Sequence, residues 1–192
     1  MFNKSLQQFI LSLAHRSIEH FFDTGKILKI KESELPSVQF SEKRACFVTL
    51  TLDGNLRGCI GHIEPIQPLY LDIIENAMSS AFEDPRFNQL TREEFKNVEI
   101  EVSVLTVPQE LFFANSGDLL MKLQPNVDGV IIQRGRLGAT YLPQVWERFE
   151  SKEDLMSSLC QKAGLSADDW KNFGLNVQVY QAEVIKNTEQ IL

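Results

Sequence analysis

The chain has 192 residues, with 19 basic and 26 acidic side chains, a formal net charge of −7, 43% hydrophobic residues and 10 glycines. That length suits one domain with a core of its own, and the composition excludes a disordered, collagen-like or disulfide-stapled chain. The acidic balance argues against a non-specific nucleic-acid binder, which needs an excess of Lys and Arg facing phosphates.

Leu6, Phe9, Ile10, Leu13, Ser17, Ile18, Phe21 and Phe22 recur at three- and four-residue steps, the pattern of an amphipathic helix. Asn3 or Ser5 caps its start and Gly25 ends it. Residues 27–44 read as a connection with little regular structure. Cys46 to Leu52 alternates, Asp53-Gly54 signals a turn, and Asn55 to Gly61 is the return strand. A two-residue turn would set Arg57 and Cys59 on the face of Val48 and Leu50. A three-residue loop, Leu52 to Gly54, sets Leu56, Gly58 and Ile60 there instead and leaves Arg57 and Cys59 beside Phe47 and Thr49. The second register is expected, because it keeps an arginine out of the core.

Pro68 opens the next helix, whose inner face is Leu69, Ile73, Ile74, Ala77 and Ala81. Asp84-Pro85 stops it. Thr91 and Glu94 have the spacing of a capping box. From Val98 to Leu105 the apolar residues Val98, Ile100, Val102 and Val104 alternate with Glu99, Glu101 and Ser103, the strongest strand signal in the chain. A loop over 106–115, a short helix near Asp118 to Leu123, a strand from Val127 to Gln133, a turn from Gly135 to Gly138 and a strand from Ala139 to Leu142 follow. Pro143 starts a helical turn through Trp146 and Phe149. Ser151 and Asp154 cap a helix bearing Leu155, Met156, Leu159, Cys160 and Ala163, which ends at Gly164. Ser166 to Trp170 reads as a helical turn and Asn176 to Ile185 as a last strand. Hairpins mixed with helices predict an α+β fold, a largely antiparallel sheet with flanking helices, in a single domain over 1–192.

The three cysteines, Cys46, Cys59 and Cys160, form no CxxC, which points to a reducing, cytoplasmic setting. Met1 to Leu13 lacks the features of a signal peptide, and no apolar run approaches the roughly 20 residues that span a bilayer.

The densest polar cluster is Leu56-Arg57-Gly58-Cys59-Ile60-Gly61-His62. Arg57 and Cys59, two apart on a strand, share a face. A guanidinium beside a thiol favours the thiolate, the nucleophilic form. Gly58 and Gly61 allow a ligand or another backbone to come close. Asp84 and Arg86 are candidates for an ion pair that shapes a pocket, and Glu101 and Ser103 for acid–base and hydrogen-bonding groups. His15, His20 and His62 have no ligand spacing among themselves, so neither a metal nor another cofactor is expected. Gln133 to Gly138 lacks the spacing of a phosphate loop and reads as a basic hairpin tip.

Leu56-Arg57-Gly58-Cys59-Ile60-Gly61 resembles the signature of the AMMECR family, whose prokaryotic members are known as protein A of the Amme-Memo-radical-SAM system. Asp84-Pro85-Arg86-Phe87, Val98 to Leu105, Val127-Asp128-Gly129-Val130, Thr140 to Trp146 and Leu159 to Leu165 resemble further family blocks in the same order. His62 departs from the family pattern, which more often has a small residue there. The resemblance implies an α+β fold of two interlocked lobes, and a Memo-like protein and a radical SAM enzyme as partners. It supplies no established reaction. The expected function is a cysteine-centred site, with Cys59, Arg57 and Glu101 as catalytic candidates and Gly58, Gly61, Asp84, Arg86 and Ser103 as binding candidates. The alternative is a non-catalytic adaptor for the same partners.

Overall fold

The computed structural model describes residues 1–172 and 174–186. Helix α1 (Lys4–Thr24) forms as its periodicity predicts. The Asn3 side chain accepts the Leu6 N–H, and Gly25 closes the helix in the left-handed region at φ +66°. Ile10, Leu13, Ala14, Ser17 and Ile18 are its buried stripe. The connection after it has more structure than expected. Two 3₁₀ turns, Glu32–Glu34 and Val38–Phe40, carry Phe40 into the core, where its ring meets Phe9 with centroids 4.8 Å apart.

Strands β1 (Cys46–Leu52) and β2 (Asn55–Gly61) form the hairpin, with a turn that corrects the expected one. Leu52 pairs with Asn55, so the loop is the two-residue Asp53-Gly54, with φ of +51° and +75° as a type I′ turn requires. The register then shifts beside Leu50 and Thr51: Thr51 pairs with Leu56, and Leu50 with Gly58. Arg57 is the extra residue of a β-bulge. The bulge cancels the consequence of the tight turn. Below it Val48 faces Ile60 and Thr49 faces Cys59, so Gly58 and Ile60 keep to the Val48 and Leu50 side and Cys59 to the Thr49 side. Above it Leu56 is left 44% exposed rather than in the core.

Helix α2 (Leu69–Phe82) and the one-turn helix α3 (Arg92–Phe95), closed by its Thr91/Glu94 capping box, lead into β3 (Glu99–Leu105). Next come β4 (Gln109–Glu110), two residues long within the expected loop, and helix α4 (Ser116–Lys122). Strands β5 (Gly129–Arg134) and β6 (Leu137–Tyr141) turn tightly at Gly135-Arg136, because Arg134 pairs with Leu137. A 3₁₀ helix (Pro143–Arg148), helix α5 (Lys152–Lys162) and strands β7 (Asn176–Tyr180) and β8 (Ala182–Lys186) complete the order. The single last strand expected over 176–185 is thus two. The break is at Gln181, whose backbone N–H and C=O bond to Thr106.

The fold is α+β, with two four-stranded antiparallel sheets ordered β2-β1-β3-β8 and β4-β7-β5-β6. The described chain divides into two compact units, residues 1–105 with 183–186, and residues 106–182. In the first, α1 and α2 cover one sheet face over a core that includes Leu13, Ile18, Val48, Leu50, Ile73, Ala77 and Val102. In the second, β5 and β7 pack Val130, Ile132 and Val177 against Leu119, Trp146, Leu155, Leu159 and Trp170. No helix among the described residues is long and apolar enough to cross a membrane.

Candidate functional site

All the residues singled out from the sequence for chemistry lie in the first unit. What positions them is α2. Its polar residues Asp72, Asn76 and Ser80 repeat every fourth position, and Asp84 continues the row just past the helix end. The Asp72 carboxylate accepts the Cys46 N–H at 2.8 Å, and Asn76 Nδ2 donates to the Cys46 carbonyl at 3.2 Å. The Ser80 hydroxyl donates to the Val48 carbonyl at 2.7 Å and accepts the Ile60 N–H at 2.9 Å, bridging an opposed pair of β1 and β2. Each buried backbone group met in this way avoids a loss of about 1–3 kcal/mol.

Two glycines allow close approaches here. A Cβ on Gly58 would run into the Ser80 carbonyl, and one on Gly61 would lie 2.5 Å from the Cys46 carbonyl oxygen. Gly58 thus serves helix–sheet packing and Gly61 the close fit of β2 against β1, one of the two uses the sequence allowed them.

Cys59 sits on the sheet face turned away from the helices. Its sulfur lies 3.3 Å from Thr49 Oγ1, and Thr49 stands directly opposite Glu101 on β3. Cys59, Thr49 and Glu101 therefore form one row across three strands. Burial raises the Glu101 carboxyl above its ordinary range, and Lys186 partly opposes the rise. Cys59 is partly exposed, whereas Cys46 and Cys160 are buried. Burial, and then the Asp72 carboxylate, push the Cys46 thiol well up, and burial also raises Cys160. Ser103 shares the face of Glu101 but is 2% exposed.

The backbone of Cys59 is held on the outer side of β2, an edge strand. Asp84 Oδ2 accepts its N–H at 2.9 Å and Arg86 Nη2 donates to its carbonyl at 3.1 Å. Arg86 also grips Asp84 with Nε at 2.9 Å and Nη2 at 2.6 Å. The two side chains occupy the bonding groups that a neighbouring strand would take, which blunts the edge. Arg86 and the two backbone N–H groups hold the Asp84 carboxyl far below the usual carboxylate range. The hydrogen-bonded Asp84 carboxylate holds Arg86 above its ordinary value.

Arg57 differs from expectation. As the bulge residue it leaves the strict alternation, and Nε and Nη2 make a bidentate pair with Glu94 at 2.9 and 3.1 Å. Glu94 also accepts the Thr91 N–H and hydroxyl, and with Arg57 as the main cause its carboxyl falls to about 2. The guanidinium bonded at Cys59 is therefore that of Arg86. Arg57 and Arg86 both lie over Phe87, with Cζ atoms 5.9 and 5.5 Å from the ring centroid.

Sequence reasoning gave His62 no role. Its Nδ1 lies 2.7 Å from Asp72 Oδ1, and because a carboxylate only accepts, Nδ1 carries the proton. Gln67 Nε2 and Asn76 Nδ2 complete the shell of Asp72, which is 1% exposed. The four-residue rhythm of Asp72, Asn76 and Ser80 was the available signal. No group of three or more His, Cys, Asp or Glu among the described residues has metal-binding geometry. A cavity of about 370 Å³, lined in part by Phe112, Phe113, Trp170 and Asn176, belongs wholly to the second unit and holds none of the candidate residues.

The AMMECR1 family profile matches residues 11–185. The chain belongs to the AMMECR1 family. It is 38% identical to a protein of Methanopyrus kandleri over 190 residues, covering 95% of this chain and 88% of that one. It is also 38% identical to a protein of Methanocaldococcus jannaschii over 184 residues, covering 94% and 90%. The crystal structure of an uncharacterized Pyrococcus horikoshii protein superposes with a TM-score of 0.86 at 34% identity, covering 95% of this chain and 92% of that one. The AMMECR1 fold thus extends over nearly the whole chain.

Proposed function

We propose that this AMMECR1 protein works through a cysteine-centred site on the open face of its first sheet, with Cys59 as nucleophile or covalent carrier. One observation carries the reading. The one partly exposed thiol is bonded to a hydroxyl that stands opposite a half-buried carboxyl. The thiol proton leaves on the Thr49 side, and Glu101, opposite Thr49 on the next strand, is the candidate base that receives it. The sulfur electron pair forms the new bond to an electrophilic carbon, and the leaving group departs with its bonding pair. Arg57 supports the site by fixing the bulge above Cys59.

The test is the rate of Cys59 alkylation by iodoacetamide against pH. In Glu101→Gln and Thr49→Val the rate at neutral pH falls several-fold. Curves that superpose on the parent remove the proposed proton path.

The competing reading is an adaptor, favoured by the engagement of Arg57, Asp84 and Arg86 in contacts within the fold. Resemblance to the prokaryotic system puts a Memo-like protein and a radical SAM enzyme forward as partners under either reading. With those proteins reconstituted at micromolar concentration, Cys59→Ala abolishes turnover under the first reading and leaves it intact under the second.

A further inference from the structure

Arg57 and Arg86 are anchored in the same way. Each spends Nε and Nη2 on a carboxylate, Glu94 for one and Asp84 for the other. Among the described residues neither Nη1 has a hydrogen-bond partner. Their exposure separates them: the Arg57 side chain is 13% exposed and that of Arg86 is 52%. Arg86 is thus a half-exposed guanidinium held in place by Asp84, with its Nη1 unspent and its Nη2 donating to the Cys59 carbonyl. A flexible surface arginine would have to be ordered by a ligand. This one is ordered already, by a bidentate carboxylate and by the Phe87 ring.

We infer that the Cys59 site takes an anionic substrate, whose carboxylate or phosphate oxygen bonds Arg86 Nη1 while its electrophilic carbon meets the sulfur. This rests on the thiol-centred reading above and names the substrate class for it. The opposing charges are Asp84 and Glu94, each spent on its own arginine, and Glu101, two strands away. The anion is therefore held by directed N–H donors more than by net positive charge. The gain is that of a half-exposed charge contact, about five-fold.

Two alkylating reagents of nearly equal size separate charge from accessibility, iodoacetate and the neutral iodoacetamide. In both reactions the thiolate displaces iodide and an S–C bond replaces C–I. The quantity to read is the iodoacetate-to-iodoacetamide rate ratio at Cys59, by peptide mass spectrometry, in the native protein and in the same chain unfolded in urea. The native ratio is expected to exceed the unfolded one by about five-fold. Arg86→Gln brings the ratio back to the unfolded value because the iodoacetate rate falls by more than the iodoacetamide rate, and Arg86→Lys retains part of it. Acetate or inorganic phosphate at matched ionic strength slows the iodoacetate reaction, and the stronger of the two names the anion. A native ratio equal to the unfolded one, equal loss of both rates in Arg86→Gln, or no slowing by either anion overturns the inference and leaves the thiol site standing. Labelling of Cys59 by neither reagent until the chain unfolds overturns the thiol site, and the inference with it.

Discussion

Replacing Gly58 by alanine tests the packing on which the whole site depends. The new methyl would meet the Ser80 carbonyl oxygen head-on, with the Ser80 carbonyl carbon at 3.1 Å and Cα at 3.7 Å. Ordinary contact lies at about 3.5–4.0 Å, so the end of α2 must retreat by about 1 Å. That movement pulls the Ser80 hydroxyl from Val48 and Ile60 and Asp84 from the Cys59 N–H. Overpacking of this kind costs about 1–3 kcal/mol, and strained side-chain bonds place this case near the top of the range. For a chain of this length the melting temperature falls by about 2–4 °C per kcal/mol. Trp146 and Trp170 both lie in the second unit, so their fluorescence does not follow the first. Urea denaturation followed by the helical circular-dichroism signal is the assay. A stability change below about 0.5 kcal/mol, the size of an ordinary surface substitution, refutes the close-approach argument.

Three further outcomes follow from the same contacts. Glu94→Gln removes the charged partner of Arg57 and lowers stability near neutrality by roughly 1 kcal/mol. Because folding depresses the Glu94 carboxyl to about 2 from an ordinary 4.5, its contribution is full above 4.5 and fades as the pH falls toward 2. Acid titrations of parent and variant therefore converge over that window, and a constant gap contradicts the pairing. Asp72→Ala strands the Cys46 N–H and the Asn76 and His62 donors, with an expected loss of about 3–5 kcal/mol in denaturant titrations. Asp72→Asn, which keeps an acceptor, loses less, and equal losses count against the network. Gly54→Ala forces a side chain into φ +75° at the hairpin tip and costs about 1–2 kcal/mol by thermal melting.

The sequence carried the periodic elements well, because α1, α2 and β3 each bury one face and write that face as a repeat. The Cys59 hairpin shows where local reading stops. Asp53-Gly54 signals a two-residue turn, but choosing between registers by keeping Arg57 from the core led to the wrong loop with the right face for Cys59. The bulge at Arg57 resolves that conflict, and it depends on Glu94, 37 residues on, accepting both guanidinium bonds. Glu94 was legible as a cap, and its second partner was not, since nothing local encodes a contact at that separation. The burial of Ser103 was hidden for a related reason: alternation gives the side of a sheet and says nothing of what covers it. Two guanidiniums lie over Phe87, and only the fold decides that Arg86 rather than Arg57 bonds the Cys59 backbone. The α2 row of Asp72, Asn76 and Ser80 was visible as polar residues at helical spacing. Its role required knowing that this face meets strand backbone rather than water.

The proposed site requires Cys59 to be the open, reactive thiol of the three. Native-state labelling with iodoacetamide at neutral pH, resolved by peptide, tests this most directly. Cys59 is expected to label at least about ten-fold faster than Cys46 and Cys160, whose burial shields them and raises their thiols. Labelling of Cys59 only at the pace of the two buried thiols, as the chain unfolds, would contradict the thiol-centred site.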